Sequence, residues 1–461
     1  MDNQVNKTSF NDILKKLEEK MNYYYDKSIK PKGGVLNRIN LDGFKGIQEK
    51  YSKDRLLCKK LLEIEGKWRL DINYGPQFET KLRTERAGEI LVQTDETIML
   101  GGGGTAIHPI SLCMAGFGGC FTAAFAKWAA MQNIELNTLK IRAKANIDLS
   151  SSFGINDNIP MIDNYQLDLF VESDTTMEKL REILELTKLR CFCYYCATTP
   201  IFPTVLLIKE HSNNEKAETE YYEHHEFNTI ESQNEDHIVN RINLKGFKSV
   251  QKIYSGNRSL CKKTLELEGE WKLGVQYGPQ YQTKLQTERA GEILLQTDET
   301  IILGGGGTSF HPVHLCMAGF AANFCSEYAK WAAIEDVKLD NLKIIIKQYV
   351  DLTTGFGIEP NIPMIDNYQV ELIVDSNANI EKLLDLLEIT KKRSFCYYCL
   401  ITPTVPLITM HKIISDSQDK SFKVVKKELI AETKVLPTLG ENNLLLSSIF
   451  KKRKVMQMRK I

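Results

Sequence analysis

The 461-residue chain has no excess of charge of either sign: 59 Lys+Arg balance 59 Asp+Glu. That balance points to neither a nucleic-acid nor a membrane partner. No apolar run approaches the length of a membrane span. The opening residues, MDNQVNKTSFNDILKKLEEK, lack an apolar h-region and carry acids, unlike a signal or transit peptide. A cytoplasmic or other reducing compartment is therefore expected. The 11 cysteines are odd in number and show no disulfide-framework spacing, so free thiols, buried or redox-active, are expected. GGGG at 101–104 is not followed by GK[ST], which excludes a P-loop and leaves a flexible turn. The two histidines of EYYEHHEF lack metal-ligand spacing and read as part of a solvated linker.

What is present is a soluble globular composition, 43% hydrophobic and 26% charged, in a chain too long for one ordinary core. An internal repeat supplies the division. NRINLDGFKGIQ at 37 matches NRINLKGFKSVQ at 240, and ERAGEILVQTDETIMLGGGGT at 85 matches ERAGEILLQTDETIILGGGGT at 288. NIPMIDNYQ recurs at 158 and 361, and RCFCYYC at 190 matches RSFCYYC at 393, every pair 203 residues apart. A constant offset without insertion or deletion marks a domain duplication. The expected organisation is an N-terminal extension over 1–36, a first repeat over 37–210, an acidic linker over 211–237, a second repeat over 238–410 and a basic tail over 411–461. FNDILKKLEEKMNYYY in the extension reads as a short amphipathic helix.

Within a repeat, GEILVQTDETIML alternates like a hairpin. Pro109 to Met131 is helical and apolar nearly all round, which predicts burial at close range. LKIRAKANIDL and YQLDLFVES read as strands, and MEKLREILELTKLR as an amphipathic helix running into CFCYYC. This order predicts an α+β domain, with a long central helix against an antiparallel sheet.

Four cysteine pairs recur across the repeat: Cys58/Cys261, Cys113/Cys316, Cys193/Cys396 and Cys196/Cys399. Cys120, Cys191 and Cys325 face Asn323, Ser394 and Thr122 instead. Cys58, Cys113 and their counterparts read as small buried hydrophobes. Cys191, Cys193 and Cys196 form an incomplete zinc set, broken in the second copy by Ser394, so no metal or cofactor is expected.

HPISLCMAGFGGCF resembles the central-helix motif of the OsmC/Ohr family, the osmotically inducible and organic hydroperoxide resistance proteins, with Pro109, Leu112, Ala115, Gly116, Cys120 and Phe121 fitting it. ERAGEILVQTDETIML resembles its Arg-x-Gly strand, through Arg86, Gly88 and Asp95, and LTKLRCFCYYCATT the end of its second helix, with Cys193 at the second cysteine. The resemblance covers about 75–210 and about 278–410. It implies two such domains packed as an intramolecular pseudo-dimer, with sites at the interface. It also implies a cysteine peroxidase: Cys120 attacks the peroxide as thiolate, Cys193 resolves the sulfenic acid, and Arg86 hydrogen-bonds thiolate and substrate. Arg289 serves instead if the site crosses the interface.

Departures from the family pattern are specific. Its glutamate after the proline is Ile110 here and Val313 in copy two; His108 and His311 replace its asparagine; Asn323 removes the nucleophile from the second copy. The segment NRINL…GFK…EGKW lies outside the match and reads as a surface-covering addition. Two functions are therefore expected in competition. One is a peroxidase with a single site in the first repeat, using a peroxide substrate and a dithiol reductant. The other is an inactive scaffold within a larger assembly, docked through its N-terminal extension and C-terminal tail.

Overall fold

The computed structural model describes residues 33–157, 159–210, 218–220, 238–414 and 423–429. The amphipathic stretch before residue 33, nearly all of the acidic linker and the end of the basic tail lie outside the described residues. The first copy runs α1 (Leu41–Lys53), β1 (Lys59–Trp68), β2 (Phe78–Arg83), β3 (Glu89–Thr94), α2 (Pro109–Met131), β4 (Thr138–Asp148), β5 (Ile162–Glu172), α3 (Met177–Arg190), α4 (Phe192–Thr198) and β6 (Thr204–Glu210). The second repeats it as α5 (Leu244–Gly256), β7 (Lys262–Trp271), β8 (Tyr281–Gln286), β9 (Glu292–Thr297), α6 (Pro312–Ile334), β10 (Asn341–Asp351), β11 (Ile365–Asp375), α7 (Ile380–Arg393), α8 (Phe395–Ile401) and β12 (Leu407–Ile414).

The α2 helix has the bounds read from the sequence. Pro109 takes its first position, where a missing N–H is harmless. Lys127 is its one charged residue, and 21 of its 23 residues are buried. It is long and apolar enough to cross a membrane, which corrects the expectation that no run is. Its composition answers to protein packed all round it rather than to lipid.

Two mixed α+β halves result, but their strands are exchanged. One sheet has the order β3-β2-β1-β10-β11-β6 and gains an edge strand from Glu218–Glu220. The other has the order β9-β8-β7-β4-β5-β12 and gains one from Lys423–Leu429, within the stretch read as tail. Pairing is antiparallel except for β11 with β6 and β5 with β12, which are parallel. Each copy thus begins in one sheet, crosses through its central helix to the other, and returns. Neither copy closes a sheet alone, so the halves form an intramolecular pseudo-dimer.

The leading segment of each copy is structural core, not a covering. β1 lies in mid-sheet against β10 of the other copy. Phe44 on α1 is fully buried, edge-on to Trp128 at 6.2 Å and stacked on Phe356 of the other copy at 5.1 Å. Asn37, in left-handed backbone at φ 50°, accepts from Leu136 N–H at 2.9 Å and donates to the Ile134 carbonyl at 2.8 Å. The indole N–H of Trp271 donates to its backbone carbonyl from the other copy at 3.0 Å.

Two local readings change. GEILVQTDETIML is not a hairpin: β3 ends at Thr94, and its partner β2 precedes it, joined through Gly88 at φ 76°. The glycine loop is clasped rather than loose. Asp95 accepts from Thr105 N–H at 2.9 Å and its hydroxyl at 2.6 Å, while Gly104 N–H donates to the Glu96 carbonyl. A Cβ on Gly102 would lie 2.2 Å from that carbonyl oxygen, so only glycine fits.

The α2 and α6 helices pack on the pseudo-two-fold axis where Gly116 and Gly319 leave no side chain. A Cβ there would meet the Pro312 and Pro109 carbonyl oxygens at 2.6 Å each. The closeness lets each helix bond to the other's backbone: Cys113 donates its thiol to the Cys316 carbonyl, and Cys316 to the Cys113 carbonyl, at 3.4 Å both ways.

Candidate active site

Cys120 lies in the middle of α2, 6% exposed. Its sulfur is 3.5 Å from that of Cys191, the residue that caps α4, whose own sulfur accepts from Tyr194 N–H at 3.5 Å. Cys193, in the first turn of α4, also acts on the Cys120 thiol, and its sulfur is 3.6 Å from that of Cys316 on the other copy's central helix. In the second copy the same framework holds oxygen and nitrogen groups. Asn323 Oδ1 accepts from Ser394 Oγ at 2.8 Å and from Cys396 N–H at 3.0 Å.

A buried ionic group that joins the two copies acts on Cys120 through Glu299 and His311. The Glu299 carboxylate lies 3.6 Å from Lys127 Nζ and 3.5 Å from His311 Nε2. These are ion-pair contacts, longer than hydrogen bonds. Lys127 is two helical turns beyond Cys120 on the same face, with its ammonium 5.5 Å from the centre of the Phe44 ring. Burial works to raise the Glu299 carboxyl, but Lys127 and His311 outweigh it and hold it down at about 2. Burial likewise works to lower His311, and Glu299 outweighs it, so the imidazole is raised.

The pseudo-symmetric site is charged differently. There His108 Nε2 lies 3.0 Å from Glu96, while Lys330 is taken by Glu327 of its own helix at 2.8 Å. The residue corresponding to Glu327 in α2 is Ala124. The Cys120 site thus holds one carboxylate against a lysine and a histidine, and the Asn323 site two carboxylates against the same pair. Of these groups Glu299 opposes a thiolate at Cys120, and His311 is the cation that Cys120 helps to hold protonated.

Hydrogen bonds from Cys191 and then Cys193 lower the Cys120 thiol well below its ordinary value, against burial and Glu299. Cys191 is raised by burial and by Cys120; Cys193 by its contacts with Cys120 and Cys316, then by burial. Alkylation of Cys120 by iodoacetamide is therefore expected to persist below the ordinary thiol range and to fall only at lower pH, as the thiolate takes up its proton. Peptide mapping across pH checks this; a Cys120 profile no more acidic than that of a free cysteine would refute it.

The sequence-predicted residues divide. The structure brings Cys120 and Cys193 together. Arg86 and Arg289 lie exposed on the turns after β2 and β8, tied by their backbone N–H groups to the Gly307 and Gly104 carbonyls. Neither guanidinium is among the groups acting on Cys120, which are thiols and Glu299. Cys113 and Cys316 are not inert core like Cys58 and Cys261. They line a cavity of about 180 Å³ on the pseudo-two-fold axis, together with Cys193, Cys396 and the buried Ile110 and Val313. No cluster of three or more His, Cys, Asp or Glu fit for a metal occurs among the described residues.

Sequence reasoning missed Lys127 and Glu299 and set Cys191 aside. A lysine in an apolar helix, seven residues after Cys120 in AKWAA, was the available signal for the first. Glu299 is supplied by the other copy, which local sequence does not reveal.

No curated protein sequence matches the chain. Residues 102–205 match the family model described as OsmC-like protein. That stretch carries α2 with Cys120, α4 with Cys193, and Cys191, which caps α4. Over residues 102–205 the chain is thus similar to an OsmC-like protein, and the second half of the chain repeats the fold of that stretch.

Proposed function

We propose that the protein is a thiol peroxidase with one working site, at Cys120, in a reducing compartment. The observation that carries this reading is the asymmetry of the two sites. Cys120 lies against the thiol of Cys191 and helps to raise His311, whereas Asn323 has its carbonyl oxygen committed to Ser394 and Cys396. The Cys120 thiolate attacks one peroxide oxygen, the O–O bond breaks and an alcohol or water leaves. The resulting sulfenic acid condenses with a neighbouring thiol, losing water and forming a disulfide. A dithiol then restores both thiols. His311, which Cys120 helps to raise, favours the thiolate in place of an arginine.

A second reading is supported by the exposed Arg86 and Arg289: an inactive, structural OsmC-like component that docks through its terminal segments. Consumption of cumene hydroperoxide with dithiothreitol separates the two. Wild type is expected to turn over, and Cys120→Ser to lose at least about 100-fold, as removal of a nucleophile does. Equal rates in the two proteins would end the peroxidase reading and leave the structural one.

A further inference from the structure

Two thiol pairs cross the pseudo-two-fold axis. Cys193 and Cys316 lie sulfur to sulfur at 3.6 Å, as do Cys396 and Cys113. All four line the same cavity, where Cys113 and Cys316 are partly exposed. Cys120 and Cys191 do not line it and are buried. The two pairs differ in what stands behind them. On the Cys193 side stands Cys120, a thiol whose sulfur is 3.5 Å from that of Cys191, two residues before Cys193. On the Cys396 side stands Asn323, which accepts from the Cys396 N–H and has no redox chemistry.

We propose that oxidising equivalents leave the buried site through Cys193 to Cys316, so that the lasting disulfide joins the two repeats and opens on the cavity. This rests on the peroxidase reading. Peroxide converts Cys120 to sulfenic acid with release of alcohol. The Cys193 thiolate attacks that sulfur, forming the Cys120–Cys193 disulfide and expelling hydroxide, which leaves as water with the proton Cys193 gave up. The Cys316 thiolate then attacks the Cys193 sulfur, forming Cys193–Cys316 and returning Cys120 as thiolate. No further oxidant is consumed in this exchange. A small dithiol entering the cavity reduces the product, becoming a cyclic disulfide itself. The relay moves the disulfide from Cys120, which does not line the cavity, to Cys316, which does and is partly exposed there.

The twin pair is the internal control. Cys113 and Cys396 have the same spacing and share the cavity, yet no peroxidatic thiol feeds them. One equivalent of cumene hydroperoxide is expected to give the Cys193–Cys316 disulfide and leave Cys113 and Cys396 reduced, by peptide mapping after rapid alkylation. Diamide, which oxidises neighbouring dithiols directly, is expected to close both pairs. Cys120→Ser should lose only the peroxide-driven bond. Cys316→Ser should stop at a disulfide between Cys120 and Cys193, its Cys113–Cys396 bond with diamide showing the fold intact. A peroxide-treated wild type whose final disulfide joins Cys120 to Cys191 or Cys193, with Cys316 free, overturns the relay alone. No peroxide-driven oxidation of any thiol, with diamide closing both pairs, overturns the relay by removing the peroxidase reading beneath it.

Discussion

Replacing Lys127 with methionine is expected to cost about 3–5 kcal/mol of stability at neutral pH, the usual penalty for leaving a buried charge without its partner. Lys127 and Glu299 have side chains 8% and 3% exposed, so water cannot replace the ammonium. Methionine keeps contact with Phe44, which isolates the electrostatic part. Glu299 then retains only His311, and burial drives its carboxyl upward. The sign with pH follows. In wild type the depressed carboxyl contributes stability above its unfolded value of 4.5, and that contribution is lost as pH falls towards about 2. In the variant the carboxyl protonates sooner, so the deficit should shrink as pH falls from 7 towards 4. Lys127→Met with Glu299→Gln should recover much of the loss by removing both charges. Urea denaturation at several pH values measures all three. A single variant within about 1 kcal/mol of wild type at pH 7 would show that the pair is not the buried contact described.

The second copy sharpens the comparison. Lys330 pairs with Glu327, a carboxyl that burial already raises against the pull of Lys330. Such a group is closer to accepting a proton, and removing Lys330 should cost less than removing Lys127. Similar sequences around AKWAA thus carry unequal electrostatics, because Ala124 in one helix is Glu327 in the other.

How far the sequence discloses this arrangement depends on where each partner lies. The central helix was legible to its end residues because Pro109 and an unbroken apolar run are local signals. The duplication was legible from a constant offset. The strand exchange was not: β1 meets β10, and β7 meets β4, but the two copies have nearly the same pattern and either pairing satisfies it. What separates them is where a 23-residue helix, about 35 Å long, delivers the chain. The same reason hid Glu299 from Cys120. Cys191 was legible in another way. Cys120 and Cys191 touch, and so do their counterparts Asn323 and Ser394. Both members of one contact differ together between the copies. Ser394 therefore marks a contact partner of position 323 rather than a broken metal set. The arginines misled because a motif shared in sequence fixes a turn's position, not the direction of a long side chain at its tip.

The crossing of α2 and α6 gives the second large effect. Alanine at Gly116 would place Cβ 2.6 Å from the Pro312 carbonyl oxygen and 2.7 Å from the Cys316 nitrogen; at Gly319, 2.6 Å from the Pro109 oxygen and 2.8 Å from the Cys113 nitrogen. These are backbone atoms in helices buried on all sides, so relief requires the helices to part. Overpacking of this kind costs about 1–3 kcal/mol per site. The sites face each other across the axis, so Gly116→Ala with Gly319→Ala should not be additive: once one has parted the helices, the other finds part of its space made. Gly46, on the exposed face of α1 with nothing within 4 Å of an added Cβ, is the control, and alanine there should stabilise by roughly 0.5–1 kcal/mol. Parting the helices also lengthens the thiol-to-carbonyl bonds of Cys113 and Cys316 and draws Cys316 from Cys193, so diamide should close the inter-repeat disulfides more slowly in the glycine variants. Urea midpoints at constant m-value, followed by diamide kinetics, read both effects. Midpoints equal to wild type would mean that the central helices do not cross at these glycines. Loss of stability without slower disulfide closure would place the strain elsewhere than at the thiols.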